Sequence, residues 1–595
     1  MRTLSKKTYF KGHLTWACIG LLAVSCAGVS KQGPSRRSQR KQAPFVVADA
    51  HSASFKEFAV AADEVQASAA GAEILAQGGN AADAAAATML ALGVSSFASS
   101  GLGGGGFALY YRAKDQSVTF LDFRERAPGA ATADMFDSAP SAPSSTPFSA
   151  PSQQGGLAVA VPGEPAGIEA LLAEFGSLPR QQVTAPAIRL AERGFRISER
   201  VASMSQWLAV ELAKDPHVRA LLASSPKGFV VGSTLKRPVL GRTLRTFAAQ
   251  GARPFYHGAI AKDIIATVQR HGGIMQMRDL AAYRVKKRTP LEAHAFGYRW
   301  ITAPPPSAGG YILLSSLSLL DRWGDKQHAS PVAMLHAFAE SFKGPFIDRS
   351  SYFGDPDFVT VPILDLLNTQ RIMRRAAVFD RARAVAPKRY GLPLTLSQNH
   401  AYATHGGGTA HFCVVDSDGN VASVTTTINL PFGARITAAG MFLNDQMDDF
   451  VSRTGAANAF RLAQDQANFP APHKRPVSTA TPSIVLQGNQ PVLCIGGVGG
   501  SRIVTSVVQA AYYTLVAGES PAEAIVKPRI HHQAEPNLLF HEDLGKETMA
   551  ELKRLGHKLE KSEHAGMVQM IHITDNGGHL EAVSDPRKGG RPAGR

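Results

Sequence analysis

Two β-prone runs separated by Ser417-Asp418-Gly419 constrain this chain more than any other feature of its sequence. The first is Thr409-Ala410-His411-Phe412-Cys413-Val414-Val415-Asp416 and the second covers residues 420–429. Asp-Gly in a three-residue loop between such runs is a hairpin signal. A hairpin centred on Asp418 sets Thr409 opposite Thr427 and leaves Asn429 one same-face step beyond, so two hydroxyls and an amide gather at one strand end. Just upstream, Gly406-Gly407-Gly408 offers little steric resistance to unusual backbone geometry at the peptide bond before Thr409. That suits attack by the threonine hydroxyl on its own peptide. A threonine freed in this way carries its own base, an α-amine whose unperturbed pKa is about 7.7 to 8.0. His411, on the same strand, fits a structural role as well as a chemical one.

The rest of the chain reads as interleaved helices and strands, which predicts an α/β layered fold. Residues 64–94 are Ala-rich and interrupted by Gln77-Gly78-Gly79-Asn80, which predicts a helix, a glycine stop and a second helix beginning near Asn80. Gly101-Leu102-Gly103-Gly104-Gly105-Gly106 formally satisfies GxGxxG, but a strand follows where a dinucleotide site needs a helix, and no Gly-Lys-Ser/Thr follows for a P-loop. Residues 138–151, rich in Ser, Ala and Pro, predict a surface loop. Residues 165–390 alternate helical patterns with short loops, among them Pro304-Pro305-Pro306-Ser307-Ala308-Gly309-Gly310 and Asp348-Arg349-Ser350. Beyond Thr409, strands are predicted at 421–428, 483–486 and 492–495, and helices at 503–517 and 546–555.

With these residues in place, the sequence resembles the γ-glutamyltransferases, N-terminal nucleophile hydrolases that split by autoproteolysis into a large and a small subunit. The likeness runs from about Phe55 to the C-terminus. It is carried in order by residues 100–107, Asp122-Phe123-Arg124-Glu125, residues 304–310, Gly354-Asp355-Pro356-Asp357-Phe358, residues 444–450, residues 475–482 and Gly499-Gly500-Ser501-Arg502. The resemblance implies an αββα four-layer sandwich made by both fragments, with cleavage between Gly408 and Thr409. It implies that Thr409 is the nucleophile, that Thr427 orients it, and that Gly499 and Gly500 supply the oxyanion-hole N–H pair. Arg124, with Ser478 and Thr479, would grip a substrate α-carboxylate, and Asn429, Gln446 and Asp449 its α-ammonium. Residues 449–478 are long enough for a lid, with Phe460 near the aromatic gate position. Thr479 stands where Ser is usual, and Cys413 at a typically small polar position. The implied donors are glutathione and other γ-glutamyl compounds, the acceptors water, amino acids or dipeptides; neither cofactor nor metal is expected. Two rivals are a β-lactam side-chain acylase on the same scaffold, which loss of Asp449 would favour, and a non-catalytic envelope lipoprotein that never matures.

The N-terminus predicts export. Arg2, Lys6, Lys7 and Lys11 precede the apolar residues 16–24, which end in Ser25-Cys26. The run is too short to span a bilayer, and small residues before Cys26 resemble a lipoprotein cleavage box, with plain signal-peptidase cleavage or an uncleaved anchor as alternatives. The expected organisation is a signal at 1–26, a basic flexible tether at 27–54, a large subunit at 55–408 and a small catalytic subunit at 409–595, in the periplasm or outer envelope. Any membrane contact is expected through an anchor at Cys26 alone. Of the net charge of +16, nine charges come from residues 1–42, so nucleic-acid binding is not implied. Cys413 and Cys494 lie far apart in apolar strand-like stretches, and neither a metal site nor a disulfide framework is expected.

Overall fold

The computed structural model describes residues 44–136, 148–324, 330–392, 408–451, 458–460, 462 and 464–595. The signal, Cys26, the tether to residue 43, most of the 138–151 loop, Gly406-Gly407 and parts of the lid lie outside them. Two antiparallel sheets organise the unit from Pro44 to Arg595. In the first, β1 (Ala59–Ala62), β2 (Gly105–Arg112), β3 (Ser117–Phe123), β4 (Gly408–Val415) and β5 (Val421–Asn429) lie in the spatial order β1-β4-β5-β2-β3. Val46–Val47 and Ala593–Gly594 extend its β1 side, and Lys286–Arg288 the other. The second sheet is built on β6 (Ser483–Gln487), β7 (Gln490–Val498), β8 (Met567–Thr574) and β9 (His579–Ser584), flanked by Ser52–Phe55, Tyr298–Thr302 and Leu291–Ala295.

The sheets pack face to face, and alternation along β4 shows how. Cys413 and Val415 point into the core between the sheets with Phe107, Leu109, Ile484, Cys494 and Ile571, whereas Ala410, Phe412 and Val414 point outward to the helices. Against that outer face lie α1 (Val65–Ala76) and α2 (Ala81–Ser95), while α3 (Gly309–Trp323), α4 (Pro331–Tyr352) and α5 (Arg502–Leu515) cover the second sheet. Because both faces of each sheet are covered, β4 and β5 are buried at every position. Helix α2 begins where the sequence predicts: the Asn80 side chain accepts from the Ala82 and Asp83 N–H groups, and Asp83 returns the bond to the Asn80 N–H.

Three expectations need correction. Residues 46–47 and 52–54, expected in the tether, belong to edge strands paired with Ala593–Gly594 and with β9. Asp348-Arg349-Ser350, expected as a loop, lies within α4, because helix packing along the second sheet overrides a polar cluster. Cys413 and Cys494, expected to be unpaired, form a disulfide with Cα atoms 5.9 Å apart. They face each other from β4 and β7 across the inter-sheet core, a juxtaposition that their separation of 81 residues does not reveal. The glycine run before β2 serves close packing: a Cβ on Gly104 would lie 2.0 Å from the Thr427 carbonyl oxygen, and one on Gly106 2.1 Å from that of Thr425. Among the described residues, no helix is long and apolar enough to cross a membrane.

Candidate active site

The hairpin register is the one expected, Thr409 opposite Thr427, with an irregularity at Gly408/Thr409 that pairs Gly408 with Asn429. Thr427 Oγ1 donates to the Gly408 carbonyl oxygen at 2.8 Å and accepts from the Asn429 N–H at 2.8 Å. Its single proton being committed, the 3.1 Å contact with Thr409 Oγ1 has the Thr409 hydroxyl donating. One hydroxyl therefore donates to the Gly408 carbonyl and accepts from the Thr409 hydroxyl.

The strand carrying Thr409 is held from behind by buried charge. Lys588 Nζ reaches the Thr409 carbonyl oxygen and pairs with Asp63 at 2.6 Å, and Asp63 also accepts from the His411 N–H at 2.9 Å. Burial lowers the Lys588 pKa to about 8. His411 is fully buried, 2.9 Å from Thr425 Oγ1, and burial pushes it down to about 3, so it is a neutral packing residue and not the base.

A cavity opens beside Thr409 and Thr427. Arg124, immediately after β3, lines it and pairs with Asp449 at 2.5 Å while donating to the Val477 carbonyl at 3.2 Å. Gln446 Nε2 donates to Asp449 at 2.7 Å, and Gln446 Oε1 is buried without a partner among the described residues. Asn429, in a left-handed backbone conformation, donates to the Asp445 carbonyl at 3.1 Å. An acceptor without a donor beside a carboxylate suits an ammonium, and the guanidinium bound to that carboxylate suits an incoming carboxylate. Ser478 Oγ accepts from the Ala480 N–H at 3.1 Å, leaving its own proton for donation, whereas Thr479 donates to the Gly500 carbonyl at 2.9 Å. The Thr479 hydroxyl thus braces the glycine turn.

That turn precedes α5. Gly499 and Gly500 have φ values of 125° and 61°, and such consecutive amides at a helix N-terminus suit a developing negative charge. Gly500 lines the cavity, whereas Gly499 is not among the lining residues. The Phe460 ring lies where a Gly500 Cβ would fall, 2.2 Å away, so the expected gate residue is buried over the turn.

Comparison with known proteins decides the family. Residues 67–595 match the family described as Gamma-glutamyltranspeptidase. The chain belongs to that family. Among its relatives is the "Glutathione hydrolase proenzyme" of Escherichia coli (strain K12), 36% identical over 544 residues, covering 90% of this chain and 91% of the relative. "Glutathione hydrolase 2" of Arabidopsis thaliana is 34% identical, covering 90% of this chain and 93% of its own length. Among solved structures, cephalosporin acylase from Bacillus halodurans superposes with a TM-score of 0.78 at 25% identity over 95% of this chain and 98% of its own. Helicobacter pylori γ-glutamyltranspeptidase gives 0.51 at 33% identity, covering 56% of this chain and 96% of that one. The αββα layering is that of the N-terminal nucleophile hydrolases.

In this γ-glutamyltranspeptidase-family chain, several site residues escape sequence reading. Lys588 and Asp63 lie at opposite ends of the chain, and only the pairing of β1 with β4 brings Asp63 behind Thr409. Arg349 lines the cavity from α4. Glu125 and Glu164 are buried near the Arg124 end, and burial raises them to about 7 and about 8. No local pattern flags these residues. For Glu125, its place beside Arg124 was the one available signal.

Proposed function

We propose that this chain is a precursor that cuts itself between Gly408 and Thr409 and then acts as a γ-glutamyltransferase and glutathione hydrolase. The observation that carries this reading is the chain of contacts from Thr409 through Thr427 to the Gly408 carbonyl, at the mouth of a cavity that also holds Arg124, Gln446 and Asp449. In the precursor, Thr409 Oγ attacks the Gly408 carbonyl carbon, its proton passing toward Thr427. Collapse breaks the peptide bond, protonates the Thr409 nitrogen and leaves an ester that water hydrolyses. In the mature enzyme the freed amine takes the hydroxyl proton as Oγ attacks the γ-carbonyl carbon. The amides of Gly499 and Gly500 stabilise the oxyanion, a contribution of roughly 3 to 4 kcal/mol per donor. The amine proton passes to the leaving amine, and the γ-glutamyl ester on Thr409 is then attacked by water, an amino acid or a dipeptide. Arg124 and Ser478 take the α-carboxylate, Asp449, Gln446 and Asn429 the α-ammonium, and Phe460 closes the pocket.

The test is N-terminal sequencing of purified protein together with product analysis. Two fragments, the smaller beginning at Thr409, are expected, and a γ-glutamyl anilide should release aniline faster with glycylglycine present. A single intact band from the native sequence, with turnover persisting, overturns the reading; an intact band without turnover favours the non-catalytic lipoprotein. The likeness to cephalosporin acylase favours a second reading, a β-lactam side-chain acylase. An acyl group without an ammonium would leave Gln446 Oε1 and Asp449 unmatched, which supports the γ-glutamyl reading. Comparable turnover of glutaryl and γ-glutamyl amides would reverse that preference.

The protein is further proposed to be exported to the periplasm or outer envelope and anchored by lipid at Cys26. The Cys413–Cys494 disulfide supports an oxidising compartment. Cys26→Ala should move activity from the membrane fraction to the soluble one; no change in distribution counts against the anchor.

A further inference from the structure

Two guanidiniums line the cavity beside Thr409, yet the reaction proposed above uses one. Arg349 enters from α4 and is 2% exposed. Its Nε is buried without a partner, and its one side-chain hydrogen bond among the described residues is a 3.3 Å contact from Nη2 to Gln464 Oε1. The neighbouring acid cannot serve it, because the Asp348 carboxylate is taken by Arg371 at 2.7 Å and Arg375 at 2.9 Å. Asp449, the one carboxylate among the described lining residues, is paired with Arg124 at 2.5 Å and reaches Arg349 only through its field. Glu125, 3.8 Å from Arg124, does not line the cavity. A buried guanidinium with so few partners is costly unless an anion completes it.

The lining charge makes the same point. Among the described lining residues, Arg124 and Arg349 against Asp449 leave an excess of one positive charge. A γ-glutamyl unit brings one ammonium and one carboxylate and so leaves that excess in place. Only a substrate with a further carboxylate neutralises it. Because the single carboxylate of the γ-glutamyl unit goes to Arg124, a further carboxylate can come only from the leaving group. Arg349 lines the same cavity as Thr409, Gly500 and Asp449.

We propose that Arg349 is a specificity-determining residue that binds a carboxylate on the leaving-group side of the donor, so that the enzyme selects γ-glutamyl peptides ending in a free carboxylate over uncharged γ-glutamyl amides. This rests on the γ-glutamyltransferase reading and names its preferred donor class. The test uses the self-cleaved enzyme with γ-glutamyl-cysteinyl-glycine and its C-terminal carboxamide as paired donors. The native enzyme should prefer the acid in kcat/KM by about tenfold or more. Arg349→Gln should raise KM for the acid about ten- to a hundredfold, leave the carboxamide unchanged and leave kcat for both largely intact. Arg349→Lys should restore part of the preference. Equal use of both donors by the native enzyme overturns the proposal, whether or not the variants fold. So does a loss in Arg349→Gln that falls equally on acid and amide, the signature of a role in holding Gln464. Failure of the native enzyme to use either donor would instead sink the γ-glutamyltransferase reading.

Discussion

At the residue scale, Thr427 is the most economical element of the site, because one hydroxyl accepts from Thr409, the proposed nucleophile, and donates to the Gly408 carbonyl of the proposed cleavage bond. Thr427→Val keeps shape and β propensity but removes both contacts. Precursor processing should slow by roughly 10²-fold or more, read as the persistence of uncut chain on a denaturing gel over time. Glu125 and Glu164 make a second prediction. Burial raises them to about 7 and about 8, so each is protonated in the folded protein over a pH range in which the unfolded chain is ionised. The folded state then binds more protons, and stability falls as pH rises from about 4.5, the ordinary glutamate value, through 8. Glu125→Gln and Glu164→Gln should flatten that fall, measured as Tm across pH 5 to 8. An unchanged slope in both variants would show that other groups set it.

At the element scale, the disulfide joins the strand that carries the nucleophile to the strand that leads into the Gly499-Gly500 turn. Both β4 and β7 belong to the part after Thr409, so the crosslink stays within one fragment after cleavage. Replacing Cys413 and Cys494 together by Ala should lower stability by about 2 to 5 kcal/mol, with folding under reducing conditions already showing the same loss. Activity measured well below the new Tm should change far less, since the strands retain their pairing on both sides. Chemical unfolding of the native and double-variant proteins, with and without reductant, provides the measurement.

At the scale of the whole molecule, the proposed cut falls where the chain is most interlocked. β4 begins at the proposed cleavage site and lies between β1, from before that site, and β5, from after it. The N-terminal residues 46–47 and 52–55 pair in turn with strands from the C-terminal end, one in each sheet. Separating the fragments therefore means breaking both sheets. The two fragments should co-elute as one species in size-exclusion chromatography at neutral pH and part only under conditions that unfold the protein. Separation in native buffer would contradict this topology.

What could be read in advance follows the range of the interactions involved. The hairpin register and the Asn80 helix start are local, set by turn chemistry and alternation within about twenty residues, and Thr409 opposite Thr427 followed from the first of them. The αββα fold and the roles of Arg124 and Asp449 came from resemblance to a family, and the structure brings those two side chains into direct contact. The Cys413–Cys494 bond, the Lys588–Asp63 pair behind the nucleophile and the second cavity arginine depended on tertiary structure alone. Each joins residues that meet only when two sheets stack or when a helix crosses a sheet. The charge of a buried side chain is likewise decided by its surroundings, as the neutral His411 and the raised Glu125 and Glu164 show. The sequence by itself therefore determined that Thr409 would stand opposite Thr427, while packing between layers decided which charges surround it.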